Sequence, residues 1–361
     1  MTNNFYAVVM AGGSGTRFWP ISRHNKPKQL IPLISHKSLL RETVERLSPL
    51  FKPNNILVIT NIDQVEMARN ELPMLPPENI MAEPVGRDTA PCVGYAAAFL
   101  EWREPGSIFC AIPADHYIHP KDKFQKTLSS AYKVAEQNNI VTIGIKPNYP
   151  ATVYGYLQRG ELLSKQNHTD VFKLRRFCEK PSEKIAKKFV ESGEFYWNSG
   201  IFIWKAKTIL DNIKKFLPHL YKGLITMMDY FGTSEQDKIV EREYNKFTRV
   251  SIDYGVMERA ENVVMVEADF EWDDVGSFLA VAKYKKKDKS GNIADGLTCG
   301  IDNDNTIILS INTNHLIGAI GLKDVLIVHT DDATLICPKD RASDVKKLIE
   351  KIKEEKSERF L

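Results

Sequence analysis

A short apolar strand running straight into a glycine turn, at the head of an alternating strand–helix pattern, constrains this chain more than any other feature. Tyr6-Ala-Val-Val-Met leads into Ala11-Gly-Gly-Ser-Gly-Thr-Arg17. Glycines at a strand's carboxyl end leave bare backbone N–H groups facing whatever sits there, and Arg17 and Lys28 add two cations within reach. Anion-ready backbone plus two cations suits a nucleoside triphosphate. Two other glycine-turn readings fail on spacing. A P-loop needs a lysine directly after its last glycine, and none is there; a dinucleotide fingerprint needs a third glycine where Phe18 stands. A turn that merely joins strand to helix has no use for the two cations.

The pattern behind the turn is α/β. Apolar runs 6–11, 55–60, 107–112 and 140–145 predict buried strands. Segments 38–48, 63–72, 89–102 and 122–137 carry helical spacing. This alternation argues for a parallel sheet with helices on both faces, whose ligands bind at the strands' carboxyl ends. From about 150 to 285 the pattern is mixed, with strands expected at 153–159, 171–179 and 199–204 and helices at 182–192, 206–216 and 234–246. This region reads as an insertion that supplies a second subsite. After the solvated linker Lys285–Lys289, short β-rich runs suggest a few coils of a solenoid, closed by a helix at 341–356.

Composition narrows the partners. A net charge of +3 on 361 residues predicts neither nucleic-acid nor membrane binding. No apolar run reaches membrane-spanning length and no signal peptide is apparent, so a cytoplasmic location is expected. The five cysteines (Cys92, Cys110, Cys178, Cys299, Cys337) are widely spaced and read as buried thiols in a reducing compartment.

Further motifs carry polar chemistry. Asp115, in Ile112-Pro-Ala-Asp-His116, falls just past a strand end, where a carboxylate either holds Mg²⁺ or caps a turn. His116 reads as structural or as a group behind the metal ligands, since Mg²⁺ prefers oxygen donors. Trp272-Asp-Asp-Val-Gly276 offers a second carboxylate, Asp273 or Asp274, with a cap before a helix at 276–286 as the alternative. Glu83-Pro-Val-Gly-Arg-Asp-Thr-Ala-Pro91 is either a nucleotide-contacting loop or a helix cap by Asp88 or Thr89. Thr152–Tyr156, Phe177–Pro181 and Trp197–Gly200 place polar groups beside aromatics or glycine. Glu179 and Asn198 have the paired hydrogen-bonding chemistry that hydroxyl-rich ligands need, and Lys180 suits a sugar phosphate; taken as isolated motifs, all three segments read equally as ordinary strand ends.

In this order, these segments, together with Pro27-Lys-Gln29, Ile252-Asp-Tyr254 and Glu258, resemble the sugar nucleotidyltransferases, and most closely the mannose-1-phosphate guanylyltransferases. The resemblance spans residues from about 5 to 285, and the tail looks like the short left-handed β-helix end of single-function members. At 361 residues no additional isomerase domain is expected. The resemblance implies a Rossmann-like, GT-A-like mixed α/β sheet flanked by helices, with a small β-helix-like C-terminal domain. The catalytic domain would be 1–287 and the β-rich domain, with its terminal helix, 288–361.

The implied reaction transfers GMP from GTP to α-D-mannose 1-phosphate. The alternatives are guanylyl transfer to another sugar 1-phosphate, such as a heptose 1-phosphate, and a non-catalytic regulatory homologue, which would lack Arg17, Lys28 or a metal carboxylate. By this resemblance Arg17 and Lys28 are catalytic. Ala11, Gly12, Gly13, Ser14, Gly15, Thr16, Arg87, Asp88, Thr89 and Asp115 bind the nucleotide. Tyr154, Gly155, Glu179, Lys180, Asn198, Ser199 and Asp253 bind the sugar phosphate, and Asp115 and Asp274 hold Mg²⁺. A homodimer is expected, built on the edges of the β-rich tail.

Overall fold

A computed structural model describes residues 4–13, 15–166, 169–355 and 357–361. In chain order the elements are β1 (Phe5–Ala11), α1 (Leu39–Leu47), β2 (Ile56–Asn61), α2 (Val65–Glu71), β3 (Ile80–Glu83), α3 (Thr89–Arg103), β4 (Ile108–Pro113), β5 (Tyr117–His119), α4 (Lys121–Ala135) and β6 (Ile140–Ile145). There follow β7 (Tyr156–Gln166), β8 (Thr169–Cys178), α5 (Glu183–Ser192), β9 (Phe195–Lys205), α6 (Ala206–Phe216), α7 (Pro218–Met228), α8 (Gln236–Lys246), β10 (Val263–Glu267) and β11 (Glu271–Asp273). The remainder forms α9 (Phe278–Ala282), β12 (Ile293–Asp295), β13 (Thr298–Ile301), β14 (Ile307–Ser310), β15 (Ile317–Ile320), β16 (Val325–His329), β17 (Thr334–Pro338) and α10 (Val345–Glu354).

The chain clusters into two compact units: residues 1–12, 43–114 and 118–272 in the first, and 13–42, 115–117 and 273–361 in the second. The first is built on a nine-stranded sheet of order β3-β2-β1-β4-β9-β6-β10-β8-β7. Strands β1 to β4 pair in parallel, as expected from their apolar runs. The expectation of a parallel sheet through residue 145 does not hold beyond β4. Strand β9 from the inserted region lies between β4 and β6 and is antiparallel to both, because its apolar residues Ile201, Phe202, Ile203 and Trp204 are buried on both faces. Helix α3 buries ten of its fifteen residues, and Gly94 permits its close approach to α7: a Cβ there would lie 2.6 Å from Leu224 Cδ1.

The second unit cuts the chain differently from a linear boundary at 287/288. The reason is a shared core: Phe18, Trp19 and Ile31, which follow the glycine turn, are buried with Val275, Phe278, Ile293, Leu326, Val345 and Ile349. Its parallel ladders stack Ile293 on Ile307 and Ile307 on Leu326, with Thr298 beside Ile317; this is the expected coil-like stacking. The helices predicted at 276–286 and 341–356 are shorter, at 278–282 and 345–354. The cysteines are not uniformly buried. Cys92 and Cys110 are, but Cys178 and Cys337 are partly open, and Cys299 is exposed because β13 belongs to a two-stranded sheet. Among the described residues no helix is long and apolar enough to cross a membrane.

Gly94→Val tests the α3–α7 contact. Overpacking against Leu224 costs more than valine gains over glycine in helix propensity, so denaturant unfolding should show a net loss of about 1–2 kcal/mol. Unchanged stability would mean that α7 moves away freely.

Candidate active site

Local geometry after the glycine turn builds the first group of site residues, all of them in the second unit. Gly15 adopts φ +62°, and a Cβ on it would lie 2.5 Å from Lys28 Cβ and 2.6 Å from Lys28 N. A side chain is therefore excluded twice, by conformation and by space. Gln29 Nε2 donates to the Gly13 carbonyl at 3.1 Å and Ser22 Oγ to the Gly15 carbonyl at 2.7 Å. Ser14 lies outside the described residues. Lys28 is only 6% exposed. Its ammonium donates to Asp115 Oδ2 at 2.9 Å and to the Asp274 main-chain oxygen at 2.7 Å. Burial opposes the Asp115 charge, but the Lys28 ammonium, then His116 and the hydrogen bonds, outweigh it and hold the carboxyl below its ordinary range.

The two neighbouring aspartates separate in role. Asp273 is buried; its Oδ1 accepts from Val275 N–H at 2.8 Å and its Oδ2 from the Lys283 ammonium at 2.8 Å. Val275 sits at φ +47°, a region costing a β-branched residue on the order of 1–3 kcal/mol. Asp274 is not the cap of the following helix, a task that Ser277 performs. Instead, Asp274 lines a cavity of about 310 Å³ with Gly15, Thr16, Arg17, Lys28 and Asp115. Arg17 Nη1 donates to the Gly276 carbonyl at 3.2 Å, and a Cβ at Gly276 would crowd both that nitrogen (3.1 Å) and Asp274 Oδ2 (2.9 Å). Lys346, from α10, lines the same cavity. Nothing in the spacing of 341–356 signals this, because the segment shows only an apolar helix face.

The donor set suits Mg²⁺. Asp115 and Asp274 are hard oxygen donors on one cavity, and Mg²⁺ takes one or two protein carboxylates and completes its shell with phosphate oxygens and water. Among the described residues there is no group of three or more His, Cys, Asp or Glu poised for a metal.

The second group belongs to the first unit. Asn198 N–H donates to the Gly155 carbonyl at 2.8 Å, and Asn198 Nδ2 to Asp253 Oδ1 at 3.0 Å. A Cβ on Gly155 would lie 2.1 Å from Glu179 Oε1, so the glycine is what admits the carboxylate. Burial, then the nearby Asp253 charge, push the Glu179 carboxyl up to about 7, against the pull of Lys180. Burial also raises Asp253. Lys180 Nζ stands 3.9 Å from Glu179 Oε2. Tyr154 packs edge-on against Trp197 and Trp272. Ser199 does not join this group: its buried hydroxyl donates to the Ile143 carbonyl and accepts from Ile201 N–H.

The 84–91 loop is tied to residues 244–252. Arg87 donates to the carbonyls of Tyr244 and Asn245 at the end of α8, Asp88 Oδ1 accepts from Thr89 N–H as a helix cap, and Thr89 Oγ1 accepts from Ile252 N–H. Ala11 closes β1 with its carbonyl held by Thr60 Oγ1. Glu83, at the end of β3, is 4% exposed and accepts from Tyr244 O–H. A Cβ on Gly12 would come within 3.1 Å of its Oε2.

Residues 6–291 match the family described as nucleotidyl transferase, and residues 296–352 match a domain described as MannoseP isomerase/GMP-like beta-helix. The chain belongs to the nucleotidyl transferase family. Its relatives include a mannose-1-phosphate guanylyltransferase of Escherichia coli, 32% identical over 97% of this chain and 76% of the relative. Another, of Klebsiella pneumoniae, is 36% identical over 96% and 74%. A crystal structure from Thermus thermophilus, described as a mannose-1-phosphate geranyltransferase, superposes with a TM-score of 0.85 and 31% identity over 97% of this chain and 99% of that one. This nucleotidyltransferase thus matches the relatives of Escherichia coli and Klebsiella pneumoniae, both named mannose-1-phosphate guanylyltransferase, over nearly its whole length.

Burial pushes the nucleotidyltransferase's Glu83 up from 4.5 to about 7, although the Tyr244 hydrogen bond favours its charged form. The folded state therefore keeps a proton that the unfolded chain releases above about pH 4.5, and stability falls as pH rises to about 7. Glu83→Gln should remove that fall. At pH 8 the variant should be more stable than the parent by roughly 1–3 kcal/mol, and at pH 4 nearly equal. Parallel stability profiles across this range would disprove it.

Proposed function

We propose that this nucleotidyltransferase transfers GMP from GTP to α-D-mannose 1-phosphate, releasing pyrophosphate and GDP-mannose. The observation that carries the reading is one cavity holding Arg17, Lys28, Asp115 and Asp274 beside the glycine turn, in a chain whose relatives are named for this activity. The regulatory alternative predicts the loss of one of these groups, and all are present.

A phosphate oxygen of the sugar phosphate attacks the α-phosphorus of GTP in line; the new O–P bond forms as the bond to the pyrophosphate oxygen breaks. The nucleophile is already an anion, so the chain need supply no strong base. Positioning and charge neutralisation do the work. Backbone N–H groups at Gly13 and Gly15, with Arg17, receive the phosphates. An ammonium has three donors; Lys28 directs two to Asp115 and Asp274 and retains one for a phosphate oxygen. Asp115 and Asp274 would hold Mg²⁺, which when bound screens phosphate charge. Glu179, Asn198 and Asp253 receive the sugar hydroxyls, and Lys180 its phosphate. Main chain of the 84–91 loop reads the guanine, since the side chains of Arg87, Asp88 and Thr89 are engaged within their own unit. The reading places the enzyme in the cytoplasm, where GTP is available and the cysteines stay reduced.

A pyrophosphate-release assay over a matrix of nucleoside triphosphates and sugar 1-phosphates should peak at GTP with mannose 1-phosphate. Lys28→Ala should lower kcat roughly 100-fold or more, and Asp115→Asn should lose Mg²⁺-dependent turnover while keeping its melting temperature. A peak elsewhere in the matrix, or unchanged kcat in Lys28→Ala, would overturn the assignment.

A homodimer through the β-rich coils is part of this proposal. Ile301 and Ile320, neighbours across β13 and β15, are 56% and 71% exposed, an apolar surface suited to a second copy. Ile320→Asp should halve the mass seen by light scattering; an unchanged mass would remove this face from the interface.

A further inference from the structure

Helix α10 brings an unassigned cation to the phosphate cavity. Its apolar residues Val345 and Ile349 are buried in one core with Phe18 and Trp19, and the helix packs on the turn Thr16–Phe18. Flanking contacts hold it there: Trp19 Nε1 donates to the Phe360 carbonyl at 2.6 Å and His24 N–H to the Leu361 carbonyl at 3.3 Å. With Val345 and Ile349 fixed inward, Lys346 falls at the rim of the cavity lined by Gly15, Arg17, Lys28, Asp115 and Asp274.

The other cations of this cavity are each partly engaged by acceptors of their own unit. Lys28 is bonded to Asp115 and to the Asp274 carbonyl, and Arg17 to the Gly276 carbonyl. Elsewhere on α10, Lys347 pairs with Asp344 at 2.9 Å and Lys351 with Glu355 at 3.9 Å. Lys346 is exposed and has no ion-pair or hydrogen-bond partner among the described residues. A hydrated point charge on a flexible stem, at the mouth of an anion cavity, suits a phosphate that must later leave into solvent.

Resting on the function proposed above, we propose that Lys346 binds the β,γ-diphosphate end of the nucleoside triphosphate, and inorganic pyrophosphate in the reverse reaction. The helix at the end of the β-rich region then contributes directly to the nucleotide site. As an exposed charge it tunes affinity rather than bond-making, and its effect weakens with ionic strength.

The test uses the full chain with Mg²⁺ present. Lys346→Ala should raise KM for GTP, and KM for pyrophosphate in reverse, by roughly three- to tenfold at low salt. Its kcat and its KM for the sugar phosphate should stay within about twofold of the parent, since an interaction made equally in ground and transition states moves KM alone. Lys346→Arg should recover most of the loss, and Lys346→Glu should deepen it. Lys347→Ala, one residue away and paired on its own helix, should match the parent. Calorimetric binding of inorganic pyrophosphate gives the same comparison without any sugar phosphate, so it tests Lys346 even if the transfer assay assigns a different acceptor. Equal pyrophosphate affinity in Lys346→Ala and parent would overturn the inference. A Lys346→Arg variant as weak as Lys346→Ala would also overturn it, marking the loss as structural.

Discussion

The ammonium of Lys28 is the point from which the proposed phosphate site is organised. It is nearly buried and reaches Asp115 at 2.9 Å and the Asp274 carbonyl at 2.7 Å, joining three segments far apart in sequence. Its worth is positional rather than energetic, because desolvating a charge pair offsets most of its attraction. What it secures is an ionised Asp115 at a fixed place, which the proposed cation and polyphosphate require. The contact exists only because Gly15 has no Cβ, which would lie 2.5 Å from Lys28 Cβ. The glycine turn is therefore more than a source of backbone donors; it is the space into which the lysine segment fits.

The same device recurs around Gly155. This glycine admits Glu179, whose carboxylate would otherwise meet a Cβ at 2.1 Å. Burial and a neighbouring aspartate then bring Glu179 to about 7, so its charge is sensitive near neutrality. In both groups a glycine without a side chain decides where a charged side chain can sit. Polar residues that looked equivalent in sequence take different tasks: Asp273 caps its own turn and meets Lys283, whereas Asp274 lines the cavity. Ser199 satisfies backbone groups while its neighbour Asn198 meets Asp253.

Much of the secondary structure was legible. Helix α6 runs from Ala206 to Phe216 as its spacing indicates, and β1 begins one residue early. The short strand β3, Ile80–Glu83, carries too few residues to show a period. Helix α7 begins at Pro218, where a proline opens a helix rather than breaking one. The placement of β9 between β4 and β6 was not legible, since strand order depends on which apolar faces meet. Asp115, Arg17 and Lys28 stood out because charge clustered beside a glycine turn serves little purpose without an anion or a cation to bind. Lys346 did not stand out, because a lysine on an amphipathic helix looks like any solvated one.

By itself the sequence determined the ligand class, the α/β architecture and the residue types at the site, because glycines, cations and carboxylates at strand ends are local signals. Tertiary structure alone decided which of them share a cavity. A shared apolar core draws Phe18 and Trp19 together with Val275 and Val345, and so collects Arg17, Lys28, Asp274 and Lys346 from segments hundreds of residues apart around one cavity. Burial of apolar side chains has no direction along the chain, and no spacing rule can read it in advance.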